Sequence, residues 1–110
     1  MNPRYVLRPK ADQDMDDQAL YLAQRGTVEL GHRFLLAAHE TFNLLAANPG
    51  IGWPLRFHSA DLKSVRVFPI EKFKRMLVLY CPAAGGIEVL RVIHGSRNVI
   101  ARLRREGLEF

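Results

Sequence analysis

The chemistry available to this chain is concentrated in four consecutive residues, His94-Gly95-Ser96-Arg97, which follow a largely apolar run from Ile87 to Ile93. An imidazole can move a proton near neutral pH, and a guanidinium can hold a phosphate or carboxylate through paired hydrogen bonds. Lys74 and Arg75 add two cations at the start of another apolar run. Two readings stay open at this point. Either the loop acts on a partner, or it is a strand-to-helix corner in which Arg97 bridges backbone and His94 only ends a strand. Ser96 has no G-x-S-x-G context and is not read as a nucleophile. Four aspartates (Asp12, Asp14, Asp16, Asp17) lie too close together, without the glycine and glutamate of a calcium loop, and read as a solvated acidic helix start. His32 and His39 are seven residues apart with no third ligand in view, so no metal is expected. Gly50 and Gly52 follow no strand and precede no Gly-Lys-Ser/Thr, so they are not a phosphate loop.

The elements that must position these residues follow from periodicity. Tyr5-Val6-Leu7 reads as a short strand stopped by Pro9. Ala11, Met15, Ala19 and Leu22 share one face of a helix over about 11–25, closed by Gly26. Thr27 caps a second helix reaching about Ala47, with Val28, Gly31, Leu35, Ala38, Phe42 and Leu45 as its apolar stripe, widened by Leu30, Phe34 and Ala37 or Thr41. Asn48 to Pro54 is expected to be a connecting loop plugged by Trp53, which reads as core or core edge. Leu62 to Phe68 is a second strand, and 69–72 turns the chain. Phe73 to Cys81 is a central strand, with Tyr80 in the core or at its edge, and 82–86 is a hairpin loop. The run before His94 is the fourth strand, and Asn98 caps a final helix over about 99–106. The expectation is an α+β domain spanning 1–110, in which a helical hairpin packs on a small, mainly antiparallel sheet in the order β-α-α-β-β-β(-α).

Composition narrows the function classes. The chain has 110 residues, 48% of them hydrophobic and 25% charged, which describes an ordinary globule. Its single cysteine, Cys81, cannot form an internal disulfide and reads as an inert small hydrophobe. No signal peptide is read at the start, and the longest strongly apolar run, Met76 to Cys81, is six residues, so a cytoplasmic, membrane-free protein is expected. Residues 1–61 hold six Lys/Arg against seven Asp/Glu, a net of −1. Residues 62–110 hold ten against four, a net of +6. The basic half would draw nucleic acid or an acidic protein.

The chain resembles toxins of the RelE/ParE superfamily, on the ParE side. The likeness runs through Pro9-Lys10-Ala11-Asp12-Gln13-Asp14-Met15, through Phe42-Asn43-Leu44-Leu45-Ala46-Ala47-Asn48-Pro49-Gly50-Ile51-Gly52, through Val65-Arg66-Val67-Phe68-Pro69 and Leu77-Val78-Leu79-Tyr80, and closes with Glu88 to Val99. The last run is the most specific; the family usually has His-Gly-x-Arg-Asp there. The resemblance implies a type II toxin–antitoxin module. It also implies an antitoxin, often of ribbon-helix-helix type, whose C-terminal segment folds onto the toxin in an apolar groove between hairpin and sheet. ParE-like members resemble DNA gyrase inhibitors that act by binding. RelE-like members resemble metal-independent, ribosome-dependent endoribonucleases. A RelE-type site carries an arginine three residues before the tyrosine matched here by Tyr80, where this chain has Leu77. It carries another after the last strand, matched by Arg97, and some members have a tyrosine where this chain has Leu103. For a nuclease the candidates are His94, Arg97, Lys74 and Arg75. For a binding toxin the expected contacts are Arg66, Lys74, Arg75, Arg91, His94 and Arg97, with no cofactor and no sequence-specific DNA binding by the toxin alone. A degenerate toxin that keeps only antitoxin binding is the third reading.

Overall fold

A computed structural model describes residues 3–55, 64–95 and 101. The chain order is β1 (Arg4–Leu7), α1 (Pro9–Arg25), α2 (Val28–Ala47), β2 (Trp53–Pro54), β3 (Arg66–Ile70), β4 (Phe73–Ala83) and β5 (Gly86–His94). The strands form one sheet in the order β1-β5-β4-β3-β2. All neighbours are antiparallel except β1, which returns beside β5 in parallel, with Tyr5 opposite Ile87. No described helix is long and apolar enough to cross a membrane.

The helical hairpin covers one face of the sheet. Ala11 and Met15 of α1 and Phe34, Ala38, Phe42 and Leu45 of α2 meet Ile70, Val78, Tyr80 and Val89 in a continuous core. Phe34 stands edge-on to Phe73 with ring centres 5.4 Å apart. Thr27 caps α2 as its sequence predicts, accepting the Leu30 N–H at 3.0 Å. The opposite face of the sheet carries a second apolar cluster of Leu55, Val65, Val67, Leu79 and Leu90. The first core fills the interior between hairpin and sheet, and among the described residues concavities open at its rim, between α2 and the β3–β4 turn and beside the start of β4.

Several expectations are corrected. Pro9 is the first residue of α1 rather than a simple stop, because its missing N–H is one a helix start leaves unpaired anyway. Trp53-Pro54 is not loop but a two-residue edge strand opposite Val67 and Arg66. Trp53 is 49% exposed, not core, and leans on Phe68 with ring centres 6.4 Å apart. The second strand runs from Arg66 to Ile70, with Ser64 and Val65 outside it. Its Pro69 sits beyond the reach of β2, beside a register shift, where a strand tolerates a missing donor. The β4–β5 turn is only Ala84-Gly85, with Gly85 at φ 76. Val28 is 62% exposed and contributes nothing to the buried stripe of α2. Leu62, Lys63, Ser96, Arg97, Asn98, Leu103 and the expected final helix, Ala101 apart, lie outside the described residues.

Candidate functional site

The end of the sheet nearest His94 is built by the β3–β4 turn and the last residues of β5. Glu71 and Lys72 form that turn, and Lys72 adopts φ 69, a left-handed conformation uncommon for any residue other than glycine. The register then shifts between Pro69 and Ile70, so that Ile70 faces Phe73 while Pro69 faces Leu77. The intervening Lys74 and Arg75 are exposed, and Met76 turns inward. His94 lies opposite Met76, and the Gly95 N–H donates to the Arg75 carbonyl at 2.7 Å. Glycine at position 95 leaves room for the Leu77 side chain, which an added Cβ would force to shift.

A cavity of 280 Å³ opens at this corner, with Lys72, Lys74, Arg75 and His94 around it and Gln18 and Met76 among its walls. The side chains of Lys74 and Arg75 make no hydrogen bond or ion pair with any described residue. Three cations, an imidazole and a carboxamide can hold an anionic group by charge and hydrogen bonding. The position at which a RelE-type site carries an arginine is different. Leu77 is half-buried beneath Gly95 and packs on the second apolar cluster.

The expected contact residues therefore divide. Lys74, Arg75 and His94 converge on one cavity. Arg66 stands farther along the sheet, opposite Tyr80, and its guanidinium donates to the Gly50 carbonyl at 3.3 Å and to that of Gly52 at 2.5 Å. Arg91 is tied to α1: its Nε and a terminal nitrogen donate to the two Asp14 carboxylate oxygens at 2.7 and 2.9 Å. Asp14 also accepts the Val92 N–H at 3.0 Å, on the edge of β5 that β1 is too short to cover. Asp14 is thus a lock between α1 and β5, not part of a solvated acidic start. Arg97 lies outside the described residues.

Sequence reasoning missed Lys72 and Gln18. A two-residue turn between Ile70 and Phe73 was available as a signal for the first; nothing local marks the second. The buried Tyr80 is a structural anchor, as its sequence context suggests. Its hydroxyl accepts the Gly52 N–H at 2.9 Å and donates to the Pro49 carbonyl at 2.8 Å, so the Asn48–Gly52 and Leu77–Tyr80 runs are one structural unit. Burial pushes the Tyr80 hydroxyl above its ordinary pKa, against smaller downward pulls from the Gly52 N–H and the Arg66 charge. Burial, reinforced by Glu88 and offset in part by Arg8, likewise raises the Cys81 thiol and favours its protonated form. His39 is not poised for a metal; its Nδ1 meets the Tyr5 hydroxyl at 2.7 Å at the rim of the core.

A two-helix hairpin on a five-stranded, mostly antiparallel sheet with a parallel first strand defines an α+β fold of the RelE/ParE type. The family model described as "ParE toxin of type II toxin-antitoxin system, parDE" matches residues 5–99, and the chain belongs to that family. The fold is similar to that of a solved chain described as "Chromosomal ParDE TA system from P. aeruginosa", with a TM-score of 0.68 and 18% identity, over 86% of this chain and 98% of that one. No curated protein matches the sequence.

Proposed function

We propose that this ParE-family protein acts by binding and inhibiting DNA gyrase in the cytoplasm. A cognate antitoxin, of ribbon-helix-helix type, neutralises it through a C-terminal segment. The observation that carries the binding reading is Leu77. Where a related nuclease has an arginine to meet developing phosphate charge, this chain has an apolar side chain that supports Gly95 from below. The cation-lined corner beside it offers attraction, with His94 as its one imidazole among the described residues. Gyrase as the target is an analogy from the family, and the antitoxin type is another.

The test is induction in cells without antitoxin, combined with a supercoiling assay on purified gyrase. The expected result is filamentation with a DNA-damage response and loss of supercoiling. Prompt codon-specific mRNA cuts, abolished by His94→Ala or Arg97→Ala, would replace this reading with the nuclease one. No growth effect at confirmed expression would point to a degenerate toxin that keeps antitoxin binding alone.

A further inference from the structure

A free sheet edge is a row of N–H and C=O groups ready to pair with another strand. This sheet guards its edges by several means. On β2 the Leu55 N–H donates to the Val65 carbonyl at 2.9 Å, so Pro54 faces outward and has no N–H to offer. Beyond β2, Pro69 of β3 has none either, and the Glu71 N–H that follows donates to the Thr41 hydroxyl at 3.2 Å. Where β5 outruns β1, Asp14 accepts the Val92 N–H. The outer edge of β1 has no such guard. The Arg4 and Arg8 N–H groups donate to the Gly85 and Val89 carbonyls, both at 2.9 Å, so alternation turns the backbone groups of Tyr5 and Leu7 away from β5. No described residue accepts either of those two N–H groups. Val6, between them, is 63% exposed, more than any other large apolar side chain described.

The residues of this edge also match themselves. Pro3-Arg4-Tyr5-Val6-Leu7-Arg8-Pro9 reads alike in both directions about Val6, with a large apolar residue, an arginine and a proline on each side. We propose that the open edge of β1 pairs antiparallel with β1 of a second copy of this chain, about a two-fold axis at Val6, joining the two sheets into one. Tyr5 then faces Leu7 of the second copy and exchanges both N–H···O=C bonds with it, and the axis repeats the exchange. Both outward donors of each edge are used. Val6 faces Val6 of the second copy in the closer, non-hydrogen-bonded kind of pair. Pro3 falls opposite Pro9, so the residues without an N–H meet where no donor is needed. Arg4 falls opposite an Arg8 that Glu88 already neutralises. This register selects the occupant. A strand of another protein can reach Tyr5 and Leu7, but only a copy of β1 brings proline to proline while it supplies both donors. Setting Tyr5 opposite Tyr5 instead brings Pro3 opposite Leu7 and loses a bond at each end. The cationic corner lies at the other end of β5, beyond the residues that β1 covers, so each copy keeps its corner open. The inference does not depend on gyrase being the target or on the type of antitoxin.

Sedimentation equilibrium of the full chain, freed of antitoxin, tests it, together with hydrogen exchange of the Tyr5 and Leu7 amides. A pair of four-residue strands is small, so a weak, concentration-dependent dimer is expected. Both amides should become protected as it forms. Added salt should tighten it by screening Arg4 from Arg8 of the second copy. Arg4 and Val6 are exposed, so two variants at these positions should keep the fold, checked by thermal melting. Val6→Lys sets two ammonium groups against each other at the axis and should weaken association at least about tenfold. Arg4→Glu places a carboxylate opposite Arg8 at both ends and should tighten it about threefold or more. A chain that is monomeric at every soluble concentration, the Arg4→Glu variant included, overturns the inference. A dimer that neither variant shifts overturns it as well, because that dimer is built on another surface. Protection of both amides only when antitoxin is bound, with the free chain monomeric, also overturns it and assigns the edge to the antitoxin.

Discussion

A phenol buried beneath a glycine loop, held by one donated and one accepted hydrogen bond, must keep its proton for both bonds to survive. Tyr80 is in that position, between Pro49 and Gly52. Tyr80→Phe leaves a carbonyl and an N–H without their buried partner and should cost about 1–3 kcal/mol of stability, measured by denaturant unfolding. The proton also sets a pH dependence. The folded pKa is raised, so the folded chain retains a proton that the unfolded chain releases near pH 10.0. The contribution of this group is complete below that pH and is lost as pH rises through the folded value. Cys81 is raised too and adds a loss of the same sign, starting from its lower ordinary value of 9.0. Tyr80→Phe should therefore flatten the alkaline decline without abolishing it, as followed by melting temperature against pH. Asp14 offers a second test at this scale. Removing its carboxylate by Asp14→Ala takes two hydrogen bonds from the Arg91 guanidinium and one from the Val92 N–H. The expected cost is about 2–4 kcal/mol, at the lower side for a buried pair because both partners are partly solvated.

Among the elements, periodicity located both helices and the long strands, since those carry their own apolar repeat. The cap at Thr27, the buried Tyr80 and the convergence of Lys74, Arg75 and His94 were legible for the same reason: each depends on neighbours close in sequence or paired in a regular register. What was not legible depends on partners far along the chain. β2 has only two residues and exists because Val67 and Arg66 lie beside it. Arg91 looked like a free cation until Asp14, on another element, was placed against it. Arg66 looked the same, and it fastens the Gly50–Gly52 loop. Gly95 connects the two kinds of information, being marked in sequence and explained only by Leu77 beneath it. Gly95→Ala should therefore destabilise by about 1–3 kcal/mol through overpacking. Adding Leu77→Ala should recover part of that loss, although Leu77→Ala alone is also destabilising. Such a negative coupling, read from a double-mutant cycle, is expected only if the two positions compete for one space. The β3–β4 turn predicts the opposite sign. Lys72→Gly relieves a left-handed lysine and should gain up to about 1 kcal/mol. It also removes one of the three cations of the corner, so growth arrest should weaken while the melting temperature rises.

For the molecule as a whole, the question is whether two apolar clusters on opposite faces of one sheet behave as one unit. Val78 and Tyr80 point into the cluster beneath the helices, and Leu79, between them on the same strand, points into the other. Val89 and Leu90 divide in the same way on β5. Neither cluster can lose its order without disturbing the strands that line the other. Asp14 and Arg91 further tie α1 to the β5 edge, and Tyr80 ties the end of α2 to β4 through the Pro49–Gly52 loop. A single cooperative transition is expected on these grounds. Two probes test it, because they sit far apart in the architecture. Trp53 is the sole tryptophan and stands on the edge strand beside Phe68. Among the described residues the helical signal comes almost entirely from α1 and α2. Tryptophan fluorescence and far-ultraviolet circular dichroism should give coincident midpoints and slopes in denaturant. Fluorescence changing first would mean that the β2 edge frays before the hairpin releases the sheet. In that case the Tyr80 and Arg66 bonds to the loop hold less strongly than their geometry implies, and Tyr80→Phe should leave the helical midpoint where it was.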